Sequence, residues 1–336
     1  MKRHGSLFDK ITDIDNLYRA YYNARRGKGR QRAVIKFNED IDNNLIGIRD
    51  SLMNKTFTTS PYKTKLIHEP KQREVYILPF APDRIVQHAI MNIIEPIWER
   101  LFIYNSYACR VGKGIHAGSR RVMEFIRKNA YCMQCDISKF YPSIDHDILF
   151  TIIKKKIKCE DTLDLLNNII NSIDGNKNVP IGNYTSQWFG NLYMNELDQY
   201  LKHKHKVKFY IRYCDDFIIF HNSKEILNKL AIIIKDFVET KLKLRLKKCS
   251  IFPITQGLDF LGYRHFRNYI LLRKSTTKRV IKRLRKMPGD LEKGKITQDQ
   301  FRSSLASTLG WLKWANTYNL QLHLEISKLK ELYGGI

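Results

Sequence analysis

The sequence predicts an α+β protein, and three observations predict it. Short apolar segments that read as strands alternate with helical ones through the centre, roughly residues 130–262. The first sixty residues and the stretch after about 270 carry helical patterning instead. With 336 residues, 43% of them hydrophobic, the chain can bury a sizeable core spread over two or three compact units.

From the N-terminus, residues 1–60 read as helical and basic. The exposed run RRGKGRQR at 25–32 contains two glycines and suits a loop; Arg25 and Arg26 in it either touch phosphates or merely form a solvated turn. TKLIHEP and REVYILPF read as a hairpin turning at 70–72. Pro82 and Asp83 then open the helix DRIVQHAIMNIIEPIWERLF, whose apolar positions recur at helical spacing. SYACRVGKGIHAGSRRVMEFIRK is a loop entering a second helix. Strands are expected at YCMQCDIS, FYIRYCDDFIIFH and around SIFPI, and helices over 145–157, 160–173, 184–202 and 223–241. Past 270, Lys274, Lys278, Arg279, Lys282, Arg283, Arg285 and Lys286 surround an apolar stripe of Val280, Ile281, Leu284 and Met287, so one helix face packs and the rest is cationic.

Charge points to the partner. Lys and Arg number 59 against 33 Asp and Glu, a formal net charge of +26, and the surplus fits a polyanion such as nucleic acid. No apolar run approaches the ~18–20 residues of a membrane span, and the N-terminus lacks the apolar stretch of a secretory signal. A cytoplasmic protein with no membrane partner is expected. The six cysteines, Cys109, Cys132, Cys135, Cys159, Cys214 and Cys249, form no regular framework. Cys132 and Cys135 make a CxxC within a strand, where residues three apart face opposite ways, so shared metal ligation is not expected. Free, mostly buried thiols are.

Two segments carry chemistry. In FYIRYCDDFIIF, Asp215 and Asp216 sit between two apolar runs, at the turn of a hairpin. Carboxylates among apolar strands are costly unless a cation compensates them, and a hairpin tip can present their oxygens to a hard metal. A plain Asp-Asp turn is the alternative. In YCMQCDISKFYPSI, Asp136 interrupts another apolar strand, with Tyr141 five residues on. Two such carboxylates suit a pair of Mg²⁺ ions, with Mn²⁺ as a substitute, in in-line phosphoryl transfer. No arrangement of Ser, His and Asp competes.

Asp136 with Tyr141, followed by Tyr213-Cys214-Asp215-Asp216, resembles the palm motifs of reverse transcriptases, whose signature is Tyr-x-Asp-Asp. REVYILPFAPDRIVQHA and SYACRVGKGIHAG resemble the finger motifs of bacterial enzymes related to group II introns, and GLDFLGYRHF resembles the primer-grip segment. The resemblance runs in order over about residues 60–265. It implies a right-hand polymerase: an N-terminal basic helical extension (1–60), fingers (61–130), palm (131–265, with a finger insertion at about 155–180) and a helical basic thumb (266–336).

The roles follow as implications of that resemblance. Asp136 and Asp215 would be the principal metal ligands, with Asp216 the more exposed second member and Ile137 offering its backbone carbonyl. Tyr141 would be the steric gate against a 2′-hydroxyl, or else a core aromatic. Arg73 and Lys71 would hold the triphosphate. Arg110 would shape that pocket or serve structurally. Lys248, or its neighbour Lys247, would protonate pyrophosphate. Phe260, Leu261, Gly262 and Tyr263 would grip the primer, and Lys278, Arg279, Lys282 and Arg283 would bind nucleic acid. Trp311 and Trp314 either stack on bases or pack inward.

One departure narrows the reading. Reverse transcriptases usually carry Gln-Gly and then Ser-Pro where this chain has Ile181-Gly182 and Ser186-Gln187. That pattern resembles the reverse transcriptases of diversity-generating retroelements, which copy a template-repeat RNA and misincorporate opposite adenines. Ile181, Gly182 and Gln187 would then line the dNTP pocket. The implied partners are template RNA, primer and cDNA strand, dNTPs, and a small basic accessory protein. Template removal and integration would need other factors, since no RNase H region or Cys-His cluster is recognisable. A retron or antiphage reverse transcriptase is the alternative within the class. An RNA-dependent RNA polymerase and a catalytically silent RNA-binding protein are the more remote ones.

Overall fold

The computed structural model of the chain describes residues 3–68 and 72–333. Four helices come first: α1 (Phe8–Thr12), α2 (Ile14–Arg25), α3 (Arg32–Asn38) and α4 (Ile41–Met53). Asp13 and Asp40 accept the first free N–H groups of α2 and α4, which is why those helices start where they do. Residues 26–31 form the expected basic loop. The expected hairpin follows as β1 (Lys63–Ile67) and β2 (Arg73–Ile77), paired antiparallel. Its turn lies partly, and Lys71 wholly, outside the described residues. A kinked turn at Phe80–Arg84 leads into α5 (Ile85–Glu99), against which α2 packs, so the N-terminal helices share the principal core.

Next come α6 (Ile115–Lys128), β3 (Tyr131–Ile137), α7 (Phe140–Ser143), α8 (His146–Lys154), α9 (Glu160–Ile170) and α10 (Tyr184–Gln199), which runs on through a wider turn at Tyr200–Lys204. The hairpin β4 (Tyr210–Tyr213) and β5 (Asp216–His221), then α11 (Lys224–Thr240) and β6 (Leu246–Pro253), complete a four-stranded antiparallel sheet of order β4-β5-β3-β6. β6 starts four residues before the apolar SIFPI segment because it pairs along the whole of β3.

Both faces of this sheet are covered, which explains its near-continuous apolar runs. Met133, Cys135 and Ile137 enter the principal core with α5 and α8–α11, whereas Cys132, Ile211, Ile218 and Phe220 pack with Val122, Phe125 and Ile126 of α6. The CxxC thiols therefore lie in two different cores, as strand geometry requires. All six cysteines are free, but only Cys132 and Cys135 are buried; Cys109 and Cys249 are exposed, which corrects the expectation of mostly buried thiols.

Three strands too short to show any alternation went unforeseen: β7 (Leu258–Phe260), β8 (Tyr263–His265) and β9 (Ile270–Leu272). They lead to α12 (Lys274–Glu292), α13 (Gln298–Leu312), α14 (Tyr318–His323) and α15 (Ile326–Tyr333). Here a third core forms from Val280, Leu284, Met287, Phe301, Leu305 and Leu312. The stripe on α12 is buried as expected, Ile281 partly so, while its lysines and arginines are exposed. Among the described residues no helix is long and apolar enough to cross a membrane.

α6 joins the second and third cores. The His116 Nε2 and Tyr263 Oη lie 3.0 Å apart, and the His116 ring stacks on Trp314. The Ser119 hydroxyl donates to Nε2 of fully buried His265 at 2.7 Å, and its Nδ1–H faces the Leu258 carbonyl at 3.3 Å; the carbonyl can only accept, which fixes the neutral tautomer. Burial pushes the His265 imidazole down to about 4, and burial, then Lys28 and Arg84, do the same to His88. Below the ordinary histidine range the unfolded chain takes a proton that the folded one refuses until about pH 4. Stability is therefore present above pH 6.5 and lost as pH falls toward 4, by up to about 3 kcal/mol for His265. Urea unfolding from pH 7 to 4.5 should show this slope, and His265→Gln should flatten part of it. An unchanged slope in the variant would remove His265 from the account.

Candidate active site

The carboxylates come together where β3 and the β4–β5 hairpin reach the same end of the sheet. Tyr213 and Asp216 close the hairpin, leaving Cys214-Asp215 as a two-residue turn with Cys214 at φ +59°. Two-residue hairpin loops need a positive φ to match strand twist, and a non-glycine residue there costs about 1–3 kcal/mol. Bonds to Cys214 offset that strain. Arg212 Nη1 donates to its carbonyl at 2.9 Å, and its Sγ lies 3.3 Å from the Tyr141 hydroxyl. On β3, Asp136 pairs with Lys248, and the register then slips by one residue before Ile137 pairs with Leu246. The bulge makes Lys247 the extra residue, and its Nζ sits 3.9 Å from Asp136 Oδ2.

Electrostatically the site carries surplus negative charge. Burial, and then the charge of Asp136, raise the Asp215 carboxyl, against some relief from Arg73. Burial pushes Asp216 up to about 7, with Asp136 and Asp215 adding to it and Gln134 and Arg273 opposing. Asp215 in the turn and Asp216 at the start of β5 are both half-buried. Among the described residues no three His, Cys, Asp or Glu side chains form a ready-made cage. The donor set is nevertheless all oxygen, its charges repel, and a hard divalent cation is the group that would relieve them.

The other expected residues divide. Arg73 reaches this site electrostatically from the exposed hairpin. Tyr141 is half-buried, and burial raises its hydroxyl above the ordinary tyrosine range. Its ring lies against Gly190 of α10, where an added Cβ would come within 3.1 Å of it. The β2 backbone docks on the 180–183 loop: Tyr76 N–H donates to the Ile181 carbonyl at 2.8 Å, beside Gly182. Ser186 is buried and donates to the Pro180 carbonyl at 2.6 Å, whereas Gln187 is exposed.

Arg110 makes the contacts of the structural arginine that was one of its two expected roles. It grips Glu99 with Nε and Nη2, and its Nη1 donates to the Ile103 and Ser106 carbonyls, which leaves little for a phosphate. In the β7–β8 turn Phe260 and Tyr263 are fully buried, so only Leu261 and Gly262, both at positive φ, remain at the turn. Tyr263 and Trp311 stack, so the tryptophans pack inward. Arg25 lies over Tyr21 and Tyr22, Arg26 is exposed at the end of α2, and Lys278, Arg279, Lys282 and Arg283 line the exposed side of α12.

Residues 68–265 match the family described as reverse transcriptase (RNA-dependent DNA polymerase). The chain belongs to the reverse transcriptase family. Its α+β architecture is accordingly the right-hand polymerase fold. Protein YkfC of Escherichia coli is 25% identical over 270 residues, covering 66% of this chain and 70% of YkfC. The group II intron-encoded protein LtrA of Lactococcus lactis is 23% identical over 334 residues, covering 76% of this chain and 56% of LtrA. This reverse transcriptase chain thus spans little more than half of LtrA's length. Among solved structures, a truncated apo telomerase of Candida tropicalis aligns at a TM-score of 0.47 and 14% identity, covering 68% of this chain and 60% of that one.

Several residues around the reverse transcriptase signature escaped the sequence reading. Gln134 contacts Asp216 at 3.5 Å and donates to the Asp259 carbonyl at 3.1 Å. Arg273 pairs with Asp259 at 2.5 Å. Arg212 and Asp198 are both fully buried and paired at 2.6 Å. A lone arginine inside the apolar run FYIRYC was the available signal, since such a charge demands a partner.

Proposed function

We propose that this reverse transcriptase copies a template-repeat RNA of a diversity-generating retroelement into cDNA, with errors concentrated at template adenines. The observation that carries this is Ile181-Gly182 with Ser186-Gln187, in place of the usual Gln-Gly and Ser-Pro. Isoleucine supplies bulk without a hydrogen bond, so a site built around it discriminates base-pair geometry less strongly. The attachment of the Ile181 carbonyl to Tyr76 of the finger hairpin supports a place for this loop beside the incoming nucleotide. Kinship to LtrA, a group II intron-encoded protein, supports a role within an intron as the second reading.

In the proposed site Asp136, Asp215 and Asp216, with the Ile137 carbonyl, would hold two Mg²⁺ ions. Bound there, the metals would acidify the primer 3′-hydroxyl and neutralise the triphosphate. Arg73 and Lys71 hold the triphosphate, and Tyr141 excludes a 2′-hydroxyl. Lys248 or Lys247 gives a proton to pyrophosphate, Lys247 being the one drawn to Asp136. Residues 61–130 act as fingers, 131–265 as palm and 266–336 as thumb. The exposed cations of α12 and of the 25–32 loop track the phosphates. A small basic accessory protein completes the assembly.

The test is primer extension with Mg²⁺ and dNTPs on a template-repeat RNA, with the accessory protein added and the cDNA sequenced. Errors concentrated at adenines support the proposal, and accurate copying removes the diversifying role. Ile181→Gln should lower the adenine error rate while extension continues. An unchanged error spectrum would separate Ile181 from fidelity.

A further inference from the structure

Arg212 of β4 is fully buried two residues before the turn that carries Asp215. Its guanidinium is spent on three groups. Nε lies 2.8 and 3.0 Å from the two Asp198 oxygens, and Nη2 lies 2.6 Å from Oδ2. Nη1 reaches Asn191 Oδ1 at 3.1 Å and the Cys214 carbonyl at 2.9 Å. Tyr210 Oη donates to Asp198 at 2.6 Å, so the carboxylate is satisfied as well. Asn191 passes the connection on: its Nδ2 donates to the Ala108 carbonyl at 2.9 Å. The Arg212 backbone is tied to the same segment, its N–H donating to the Asn105 carbonyl and its own carbonyl accepting from Tyr107 N–H, both at 3.0 Å.

A buried ion pair is a poor way to gain stability, because apolar side chains of similar volume do as well without desolvating charge. An apolar substitute, however, could not hold a backbone carbonyl. The carbonyl held here belongs to the strained residue immediately before Asp215, with α10 as the anchor and segment 105–108 on the far side.

We propose that Arg212, braced by Asp198 and Asn191, is a positioning residue that fixes the Cys214–Asp215 turn so that the Asp215 carboxylate meets Asp136 around a divalent cation. The proposal rests on reading those carboxylates as the metal pair. Arg212→Lys is the informative variant: its single ammonium can still neutralise Asp198 but cannot also span Cys214 and Asn191.

The full chain is titrated with Mn²⁺ alone and followed by electron paramagnetic resonance, beside thermal unfolding and primer-extension kinetics. Arg212→Lys should weaken Mn²⁺ roughly tenfold and lower kcat by a similar factor, the usual size of effect for a residue that orients a metal ligand. The KM for dNTP should stay within about twofold. Asn191→Ala, which keeps the ion pair, should shift the same two quantities in the same direction, and it stands in if Arg212→Lys does not fold. A lowered unfolding midpoint with unchanged Mn²⁺ affinity and kcat would overturn the proposal and leave Arg212 a core strut. If Asp215→Asn binds Mn²⁺ as tightly as the wild type, the metal reading itself fails and takes the proposal with it.

Discussion

Asp215→Asn should abolish primer extension while making the metal-free chain harder to unfold. Burial and the charge of Asp136 both raise the Asp215 carboxyl, so the folded protein holds that charge at a cost. Asparagine keeps the shape of the turn and removes the repulsion. The metal-free unfolding midpoint at pH 7 should therefore rise, whereas catalysis should fall by at least about a hundredfold, the scale seen when one charge-stabilising group is lost from an active site. Opposite signs for stability and activity mark a site kept strained for function. Mg²⁺ should reverse the order, raising the wild-type midpoint through binding to the folded state alone and leaving the variant unmoved. Extension that survives in Asp215→Asn would sink the assignment of the catalytic carboxylates.

Gly182→Ala should also be damaging, for a reason of space rather than charge. Gly182 sits at φ +128°, and a Cβ there would lie 2.2 Å from the Tyr76 carbonyl oxygen and 3.3 Å from Val75 Cγ1. The obstacle is backbone, so it cannot swing aside. Either the loop or the β1–β2 hairpin must move, and the bond from Tyr76 N–H to the Ile181 carbonyl breaks with it. Since that hairpin carries Arg73, the dNTP KM should rise about tenfold or more, equivalent to losing about 1.4 kcal/mol of binding. Backbone strain should remove about 1–3 kcal/mol of stability in addition. Steady-state kinetics with calorimetry reads both. A normal dNTP KM in a folded Gly182→Ala would mean that the docked hairpin does not set the nucleotide site.

Much of this was legible in the residues themselves. The strand at 131–137 and the hairpin around Asp215 announce themselves as short apolar runs, and the cationic helix after 273 by an apolar stripe at helical spacing, signals that do not depend on what lies around them. The aspartates stood out because carboxylates interrupting apolar runs need an explanation that turn propensity alone does not supply. Departures at 181 and 187 were equally plain, being matters of identity at a position. All of these are short-range facts.

What the tertiary structure decided concerns partners. Arg110 was spent on Glu99 and two carbonyls; Phe260 and Tyr263 went into the core. The one-residue slip in β6 drew Lys247 to Asp136, and Arg212 found Asp198, Asn191 and the Cys214 carbonyl at once. A side chain's donors and charge are written in the sequence. Which distant group satisfies them depends on strand register and helix packing, set jointly by the whole core. The sequence by itself therefore determined the fold class and singled out the carboxylates, while the tertiary structure alone decided that cations such as Arg110 and Arg212 are consumed in holding the fold together.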